Sequence, residues 1–288
     1  MIRLLRYVSM LLLVAVITGC TATTALFFYP QRQWISTPAD AGLEYADVML
    51  TAKDGTRLHS WWIPAAEDDT GIAVLYLHGN AENISSHSRS IYWLAKAGVS
   101  VLALDYRGFG ASEGAAVMPS VLQDIQATAQ WLRTEQPDKR LVVLGQSIGA
   151  ALAIDFVAVY GPEFQVQALV VDAPFSGFGG AARHALSQSW IGWLIWPFTV
   201  LVPGDWNPED FVRRIQVPVL MMSSPDDKVV AHDDTKSLYK KLTARSGGEA
   251  SCWLQSRGRH IASFADETIR HETLNFIKTG QCPPLSGY

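Results

Sequence analysis

The sequence predicts an α/β fold built on a mostly parallel, twisted sheet of about eight strands, with helices on both faces. Two observations carry this prediction. Short runs rich in apolar and β-branched residues alternate with helix-length stretches, and such alternation requires crossovers that leave the strands parallel. The chain also has 288 residues, of which 49% are hydrophobic, and this is enough for one domain with a large core.

The predicted strands and helices follow one another in a regular order. A hairpin comes first, with residues 48–50 paired to residues 58–63 through the Asp54-Gly55 turn, and it adds an antiparallel edge. The later strands are predicted at residues 72–77, 99–104, 141–144, 168–171, 219–222 and 251–255. The main helices are predicted at residues 87–97, 117–134, 149–160, 233–243 and 264–278.

The domain limits follow from these elements. Residues 46–280 are predicted to form the folded domain, with a short cap insertion at about residues 175–213 and a tail at residues 281–288. Residues 20–45 are mixed in composition and rich in turn residues, so we expect a tether that lifts the domain off a membrane. Order is expected to begin near Asp47.

The N-terminus predicts export and lipid attachment. Arg3 and Arg6 precede an apolar run at residues 8–17, which is shorter than the ~20 residues of a spanning helix and fits a secretory signal. The tetrapeptide that follows, Ile-Thr-Gly-Cys, ends at Cys20 and resembles a bacterial lipobox. We therefore expect residues 1–19 to be a signal peptide that is removed, leaving Cys20 as a lipidated N-terminus.

An uncleaved signal anchor is the main alternative to the lipoprotein. Residues 7–29 carry no charge and are long enough to span a bilayer. Simple secretion is a lesser alternative. Both membrane-attached forms place the domain in the bacterial cell envelope, outside the cytoplasm and tethered to a membrane.

Charge and cysteine content narrow the partners further. The net charge is −4, with no run of Lys or Arg beyond the extreme N-terminus, so we expect no nucleic acid partner. Apart from Cys20, the chain has only Cys252 and Cys282. The start of the last strand and the end of the last helix are expected at one sheet edge, which predicts a Cys252–Cys282 disulfide. No His and Cys cluster has zinc spacing, and neither a metal nor a cofactor is predicted.

Two G-x-S-x-G sequences offer candidate nucleophiles, at Ser147 and Ser112. Ser147 lies between a predicted strand and a predicted helix, which is the setting of a nucleophile elbow. Ser112 lies in a loop with no helix until after Pro119, so we interpret it as a turn residue. The alternative for Ser147 is a buried serine at a helix start.

A nucleophilic serine needs an imidazole base, and the imidazole needs a carboxylate behind it. His260 follows the last predicted strand, at the end of the sheet where sites of such folds collect. His232 and His271 are the alternatives. The acid is expected on the loop after residues 219–222, where Asp226 and Asp227 are adjacent, and Asp172 is a further candidate.

The oxyanion formed during acyl transfer needs backbone N–H donors. The amide of Ile148, next to the nucleophile, is one candidate. The second is expected on the loop after residues 72–77, in His78-Gly79-Asn80, and we predict the amide of Asn80. We interpret His78 as a residue that braces this loop.

From about residue 47 to 279 the chain resembles the α/β-hydrolase superfamily. Within it, the chain is similar to the membrane-anchored branch of serine aminopeptidase-like and prolyl-oligopeptidase-like hydrolases. The features that carry the resemblance come in the family's order: the hairpin, His78-Gly79-Asn80, residues 105–110, the elbow at residues 145–149, Asp227 and His260. The D-x-V-V spacing of the family favours Asp227 over Asp226. The resemblance implies a Ser147, Asp227 and His260 triad but names no substrate.

The function expected from these residues is hydrolysis of a carboxylic ester or thioester, with a small acyl ester or a lipid-like molecule as substrate. Acyl transfer or peptide cleavage by the same triad is an alternative, and a non-catalytic binding lipoprotein is another. Residues 190–202 carry no charge and include Trp190, Trp193 and Trp196. They are expected to form a helix packed on the sheet, a cap lining an acyl pocket, or a surface dipping into the bilayer.

Overall fold

A single sheet organises the molecule. The computed structural model describes residues 24–66, 68–188, 194, 196–245 and 250–284. Its main strands are β1 (Ala46–Thr51), β2 (Arg57–Ile63), β3 (Ile72–Leu77), β4 (Ser100–Asp105), β5 (Arg140–Gln146), β6 (Val166–Asp172), β7 (Val219–Ser223) and β8 (Ser251–Gln255). Each predicted strand is confirmed with ends that shift by at most two residues.

The strand order across this eight-stranded sheet is β8-β7-β6-β5-β3-β4-β2-β1. From β4 to β8 all neighbouring pairs are parallel. The hairpin of β1 and β2 is antiparallel within itself, and β2 also runs antiparallel to β4. The predicted α/β fold with an antiparallel edge is therefore confirmed.

Helices cover both faces of the sheet. Those of the described residues are α1 (Ile84–His87), α2 (Tyr92–Lys96), α3 (Ser120–Glu135), α4 (Ile148–Tyr160), α5 (Phe178–Ser187), α6 (Pro208–Phe211), α7 (His232–Thr243) and α8 (Glu267–Thr279). Each is too short or too polar to cross a lipid bilayer.

Two hydrophobic cores result, one on each face. In β3, Ala73, Leu75 and Leu77 pack into the core shared with α3 and α4. The alternate residues of β3, which include Val74 and Tyr76, pack into the other core with α2 and α8. Every residue of β3 is buried, because a central parallel strand is covered on both sides.

The helix predicted at residues 87–97 is broken in the structure. Helix α1 ends at His87, a 3-10 turn follows at Ser88–Ser90, and α2 begins only at Tyr92. Serine side chains in this region bond to the backbone, and the Ser90 hydroxyl donates to the His87 carbonyl at 2.9 Å. Such bonds compete with the helical pattern and favour turns.

The described part of the predicted tether packs against the domain. Phe28 is buried in the core, and Tyr29–Pro30 forms a short parallel pairing with Ala81–Glu82. The Thr24 hydroxyl accepts a hydrogen bond from the Met118 N–H at 3.0 Å. Residues 24–45 are therefore part of the domain instead of a loose spacer, because their aromatic residues bury apolar surface.

This packing also bears on the signal-anchor alternative. Residues 24–29 are held by the domain, so the uncharged run that remains for a membrane span is residues 7–23. A run of about 17 residues is at the lower limit for a spanning helix.

Cys252 and Cys282 form a disulfide in the structure, with a Cα–Cα distance of 5.4 Å. Cys252 lies in β8, whose start is at the sheet edge that α8 approaches with its end at Thr279. This is the geometry on which the sequence prediction was based. The loop that the bond closes has a sequence separation of 30.

We expect the protein with Cys282→Ser to unfold at a lower urea concentration than the wild type. Closing a loop of this length lowers the conformational entropy of the unfolded chain, and this stabilises the folded state by about 3 to 4 kcal/mol. Reductant should lower the stability of the wild type and leave that of the variant unchanged. Two alkylatable thiols in unreduced wild-type protein would contradict the prediction.

Asp155 is a buried carboxyl without a hydrogen-bond partner among the described residues. It lies in α4, which is packed against the sheet on one side and contacts α6 on another. Burial raises the pKa of Asp155 well above the usual carboxyl range, and the negative charge of Asp210 raises the pKa further. Asp155 is thus protonated in the folded state where an unfolded carboxyl would be ionised.

We expect Asp155→Asn to stabilise the protein increasingly as the pH rises from about 4. Above that pH the unfolded wild type loses the proton that the folded state retains, so wild-type stability falls as the pH rises towards the folded pKa. The difference should grow by up to about 1.4 kcal/mol per pH unit. Urea unfolding at pH 4 to 7 measures it, with exposed Asp138→Asn as the control. A pH-independent difference would contradict the assignment.

Candidate active site

Ser147 lies at a sharp turn between β5 and α4. Its backbone has φ 57° and ψ −120°, a left-handed conformation that is strained for a residue with a side chain. A Cβ at Gly145 would lie 2.2 Å from the Gly149 carbonyl oxygen, and a Cβ at Gly149 would lie 2.1 Å from the Leu77 carbonyl oxygen. Both glycines are therefore required by the close approach of strand, turn and helix.

Ser147, His260 and Asp227 form a hydrogen-bonded chain. The distance from His260 Nε2 to Ser147 Oγ is 2.8 Å, and His260 Nδ1 lies 2.7 Å from Asp227 Oδ2. The three residues follow β5, β7 and β8, whose carboxyl ends meet at one edge of the sheet. The structure thus brings together the three residues that the sequence predicts as a triad, in the order of nucleophile, base and acid.

Asp227 is held as a carboxylate. Burial by itself would raise its pKa, but the bond to His260 and the N–H groups of Val229 and Val230 more than offset this, so the pKa of Asp227 is lowered. The two N–H groups donate to Oδ1 at 2.8 Å and 3.1 Å. The other oxygen, Oδ2, remains for the imidazole, which fixes the ring orientation that leaves Nε2 facing Ser147.

The alternative acids are placed elsewhere. Asp226 is exposed to solvent, and no hydrogen bond joins its carboxylate to His260 in the described structure. Asp172 is buried and accepts hydrogen bonds from the Ser263 hydroxyl at 2.6 Å and from the Gln146 side-chain amide at 3.0 Å. Burial raises the pKa of Asp172. Asp172 therefore belongs to a buried polar network below the site and does not contact His260 by a hydrogen bond.

The other candidate bases and the other candidate nucleophile make different contacts. His232 lies 2.9 Å from the Ser223 hydroxyl and packs on Trp253, and His271 is exposed on α8. The Ser112 hydroxyl is buried, donates to the Asp105 carbonyl at 2.6 Å and accepts from the His59 N–H at 2.8 Å. Ser112 thus holds its loop against β2, as the sequence interpretation of a turn residue predicts.

The loop after β3 carries Asn80 beside Ser147. Asn80 and Ile148 both line the cavity at Ser147. Ile148 is the first residue of α4, and the first N–H groups of a helix have no partner within the helix. The Asn80 carbonyl accepts a hydrogen bond from the Tyr29 N–H at 2.8 Å. The N-terminal segment therefore fixes one side of the predicted oxyanion loop.

Two buried histidines brace this loop. His78 Nδ1 lies 2.7 Å from the Gly79 carbonyl, and the His78 and His87 rings stack with centroids 5.4 Å apart. Burial lowers the pKa of both histidines, so they are neutral at neutral pH. A Cβ at Gly79 would lie 2.9 Å from His87 Cε1, which explains glycine at this position.

Comparison with known proteins gives the same picture. A family model described as serine aminopeptidase, S33, matches residues 69–204. The protein YfhR of Salmonella typhi is 30% identical over an alignment of 271 positions, which covers 88% of this chain and 87% of YfhR. The α/β hydrolase domain-containing protein WAV2 of Arabidopsis thaliana is 31% identical over 73% of this chain and 70% of WAV2. This chain belongs to the α/β-hydrolase superfamily.

The structural comparison agrees with this assignment. The esterase Pf2001 of Pyrococcus furiosus superposes on this chain with a TM-score of 0.73 and 24% sequence identity. The superposition covers 88% of this chain and 97% of the Pf2001 chain. This is a likeness in fold. The predicted fold class is thereby confirmed, and the match to WAV2 confirms the predicted superfamily, so the chain is a hydrolase by family.

An apolar cavity of about 490 Å³ adjoins Ser147 in this hydrolase. None of the described residues that line it is charged. The walls come from the N-terminal segment, the Asn80 loop, the start of α4, Phe175, helix α5, the turn at Trp196–Leu201 and the loop after Asp227. The cavity can therefore accept an uncharged, apolar group of a molecule whose reacting atom lies next to the Ser147 hydroxyl.

The predicted cap contributes to this cavity in part. Helix α5 supplies Ala181, Ala182, Ala185 and Leu186 to the wall. From the charge-free stretch at residues 190–202, the described lining residues are Thr199 and Val202. Trp196 is half exposed, and Trp190 and Trp193 lie outside the described residues. The side chains that α5 and the described part of this stretch contribute to the wall are thus small or aliphatic.

The N-terminal segment is a part of the site that the sequence did not predict. Leu26, Phe27 and Tyr29 line the cavity. Their aromatic and aliphatic character within an expected spacer was the signal that could have indicated it. Their position depends on pairing with Ala81–Glu82, about 50 residues away in the chain, and no local pattern announces such a contact.

The described residues offer no metal site. No group of three or more His, Cys, Asp or Glu side chains among them lies close enough together to bind an ion. The polar residues among those that line the cavity are Tyr29, Asn80, Ser147 and Thr199, and His260 and Asp227 stand behind the Ser147 hydroxyl.

Proposed function

We propose that this hydrolase cleaves carboxylic esters or thioesters through an acyl-enzyme on Ser147. The observation that carries the proposal is the 2.8 Å contact between His260 Nε2 and Ser147 Oγ at the wall of an apolar cavity. An imidazole at this distance accepts the hydroxyl proton during attack. The uncharged cavity next to it suits an acyl chain.

The proposed reaction proceeds in two balanced halves. Ser147 Oγ attacks the acyl carbonyl and its proton passes to His260 Nε2. The carbonyl electron pair moves to oxygen, and the backbone N–H groups of Asn80 and Ile148 donate hydrogen bonds to the oxyanion that forms. The bond to the alcohol or thiol then breaks, and the leaving group takes the proton from His260. Water repeats the sequence on the acyl-enzyme, which releases the acid and restores Ser147.

Asp227 supports both halves without changing its charge. Its Oδ2 holds the Nδ1–H of His260, and the N–H groups of Val229 and Val230 hold its other oxygen. The carboxylate stabilises the imidazolium that forms when His260 takes the serine proton. The lowered pKa of Asp227 keeps this negative charge present at neutral pH.

Peptide cleavage is the rival that the family model raises, since its description names an aminopeptidase. An aminopeptidase must hold a charged substrate amine, and buried or partly buried cations require an opposite charge. Among the residues that the structure describes, no acidic side chain lines the cavity. This absence of a partner for an amine supports an acyl ester over a peptide.

The test compares p-nitrophenyl esters with aminoacyl p-nitroanilides, with and without an added alcohol acceptor. We expect faster release of p-nitrophenol from the esters and hydrolysis to the free acid. Faster anilide cleavage would assign the protein to the peptidases. Diversion of most of the acyl group to the alcohol would indicate an acyltransferase.

We further propose that Cys20 is lipidated in the cell envelope. The shortened uncharged run at residues 7–23 and the lipobox resemblance support it. In bacteria fed a palmitate analogue, the wild type should carry the label and Cys20→Ala should lose it, while Cys282→Ser should retain it. An unlabelled wild type in the membrane fraction would support the signal anchor instead.

A further inference from the structure

The mouth of the cavity carries exposed apolar side chains. Leu26, Tyr29 and Val229 line the cavity, yet they are 69%, 60% and 56% exposed, so they form its rim. Trp196 and Val200 flank the lining residue Thr199 in the same turn and are 50% and 80% exposed. Exposed apolar side chains gathered around the mouth of one cavity indicate an interaction site. We call these five residues the apolar rim.

Leu26 and Tyr29 of the apolar rim lie close in the chain to the proposed membrane attachment at Cys20. The described structure begins at Thr24, a buried residue only two positions before Leu26. Cys20 lies four positions before Thr24, and four residues of extended chain span about 14 Å at most. A lipid on Cys20, or a membrane span ending at residue 23, therefore holds the apolar rim within reach of the bilayer surface.

The N-terminal segment that carries Leu26 and Tyr29 is firmly held. The N–H groups of Tyr29 and Gln31 donate to the carbonyls of Asn80 and Glu82 at 2.8 Å and 3.0 Å. The Asn83 side-chain amide donates to the Gln31 carbonyl at 2.9 Å. The described N-terminal segment is thus fixed to the loop beside Ser147, which keeps Leu26 and Tyr29 at the mouth of the cavity.

We propose that the apolar rim is a docking surface for the lipid bilayer, through which an acyl chain enters the cavity directly from the membrane. The proposal rests on the proposed ester hydrolysis and names its substrate class as an acyl ester or thioester resident in a lipid layer. Burial of the five rim side chains in the interface provides the apolar contact. The short link to Cys20 raises the effective concentration of the apolar rim at the membrane surface.

The first test uses the full-length protein in vesicles of phosphatidylcholine and phosphatidylglycerol. The double variant Trp196→Glu, Val200→Glu is compared with Met49→Glu, an apolar residue on edge strand β1 whose exposure lies between those of Trp196 and Val200. We expect the double variant to hydrolyse vesicle-borne p-nitrophenyl palmitate about tenfold more slowly or worse. Both variants should hydrolyse dissolved p-nitrophenyl acetate within about twofold of the wild type.

The second test does not depend on activity. A bimane label at Val200→Cys or Met49→Cys reports contact with phospholipid that carries a nitroxide on its acyl chain, and labelled wild type gives the background. We expect strong quenching at position 200 and little at position 49. Equal quenching at both positions overturns the proposal, whether or not the protein cleaves esters.

The outcomes separate the two proposals. A double variant that retains the wild-type rate on vesicle-borne ester overturns the docking surface while the proposed function stands. A wild type inactive on both esters and unlabelled by fluorophosphonate overturns the proposed function, and quenching then decides the docking surface. A dimer in detergent that the double variant dissociates, together with weak quenching at position 200, assigns the apolar rim to a second copy and overturns the proposal.

Discussion

Replacing Ser147 with alanine is expected to lower kcat/KM for a p-nitrophenyl ester by about four orders of magnitude or more. The hydroxyl is the atom that bonds to the acyl carbon, and the His260 base has no other hydroxyl at hydrogen-bond distance among the described residues. Labelling by a fluorophosphonate should disappear in the same variant. Both measurements use protein that is still folded, because the substitution removes one oxygen atom.

Ser112→Ala is the matched control for this experiment. Ser112 occupies the second G-x-S-x-G sequence, but its hydroxyl bonds to the Asp105 carbonyl and the His59 N–H. We expect lower stability, since a buried N–H loses its partner, and retention of the fluorophosphonate label. A label that survives in Ser147→Ala and is lost in Ser112→Ala would move the nucleophile to the other motif.

The second large effect concerns the acyl chain. We expect kcat/KM for p-nitrophenyl esters to rise by about two orders of magnitude from acetate to hexanoate. Each buried CH₂ contributes about 0.8 kcal/mol, and four of them account for this ratio if the chain enters the cavity. The cavity of about 490 Å³ with uncharged walls provides the space. A flat or falling profile would contradict this use of the cavity.

A pocket-filling variant tests the same prediction from the side of the protein. Ala182 lines the cavity from α5, so Ala182→Phe should reduce the advantage of hexanoate over acetate to about tenfold or less while retaining acetate hydrolysis. Ser187→Phe, exposed on the same helix and outside the cavity lining, is the control and should retain the wild-type profile. Equal chain-length profiles in both variants would place the acyl chain elsewhere.

The sequence by itself determined the fold and the positions of the candidate residues along it. Alternation of apolar strands and helices is a local signal, since each element shows its own period in consecutive residues. The elbow is also local, because strand, glycine-flanked Ser147 and helix are contiguous. The Cys252–Cys282 pair followed from the order of the elements, which requires only that a last helix return antiparallel to a last strand.

The tertiary structure decided what depends on contacts between distant parts of the chain. Asp226 and Asp227 are adjacent and chemically identical; the D-x-V-V spacing favours Asp227, and the structure places its carboxylate 2.7 Å from His260 Nδ1. Residues 24–45 have no periodic pattern, yet they pack on the domain because Phe28 finds a place in a core built by later residues. The cavity wall likewise combines residues from seven separate segments, since a binding site is a property of their packing and no single segment encodes it.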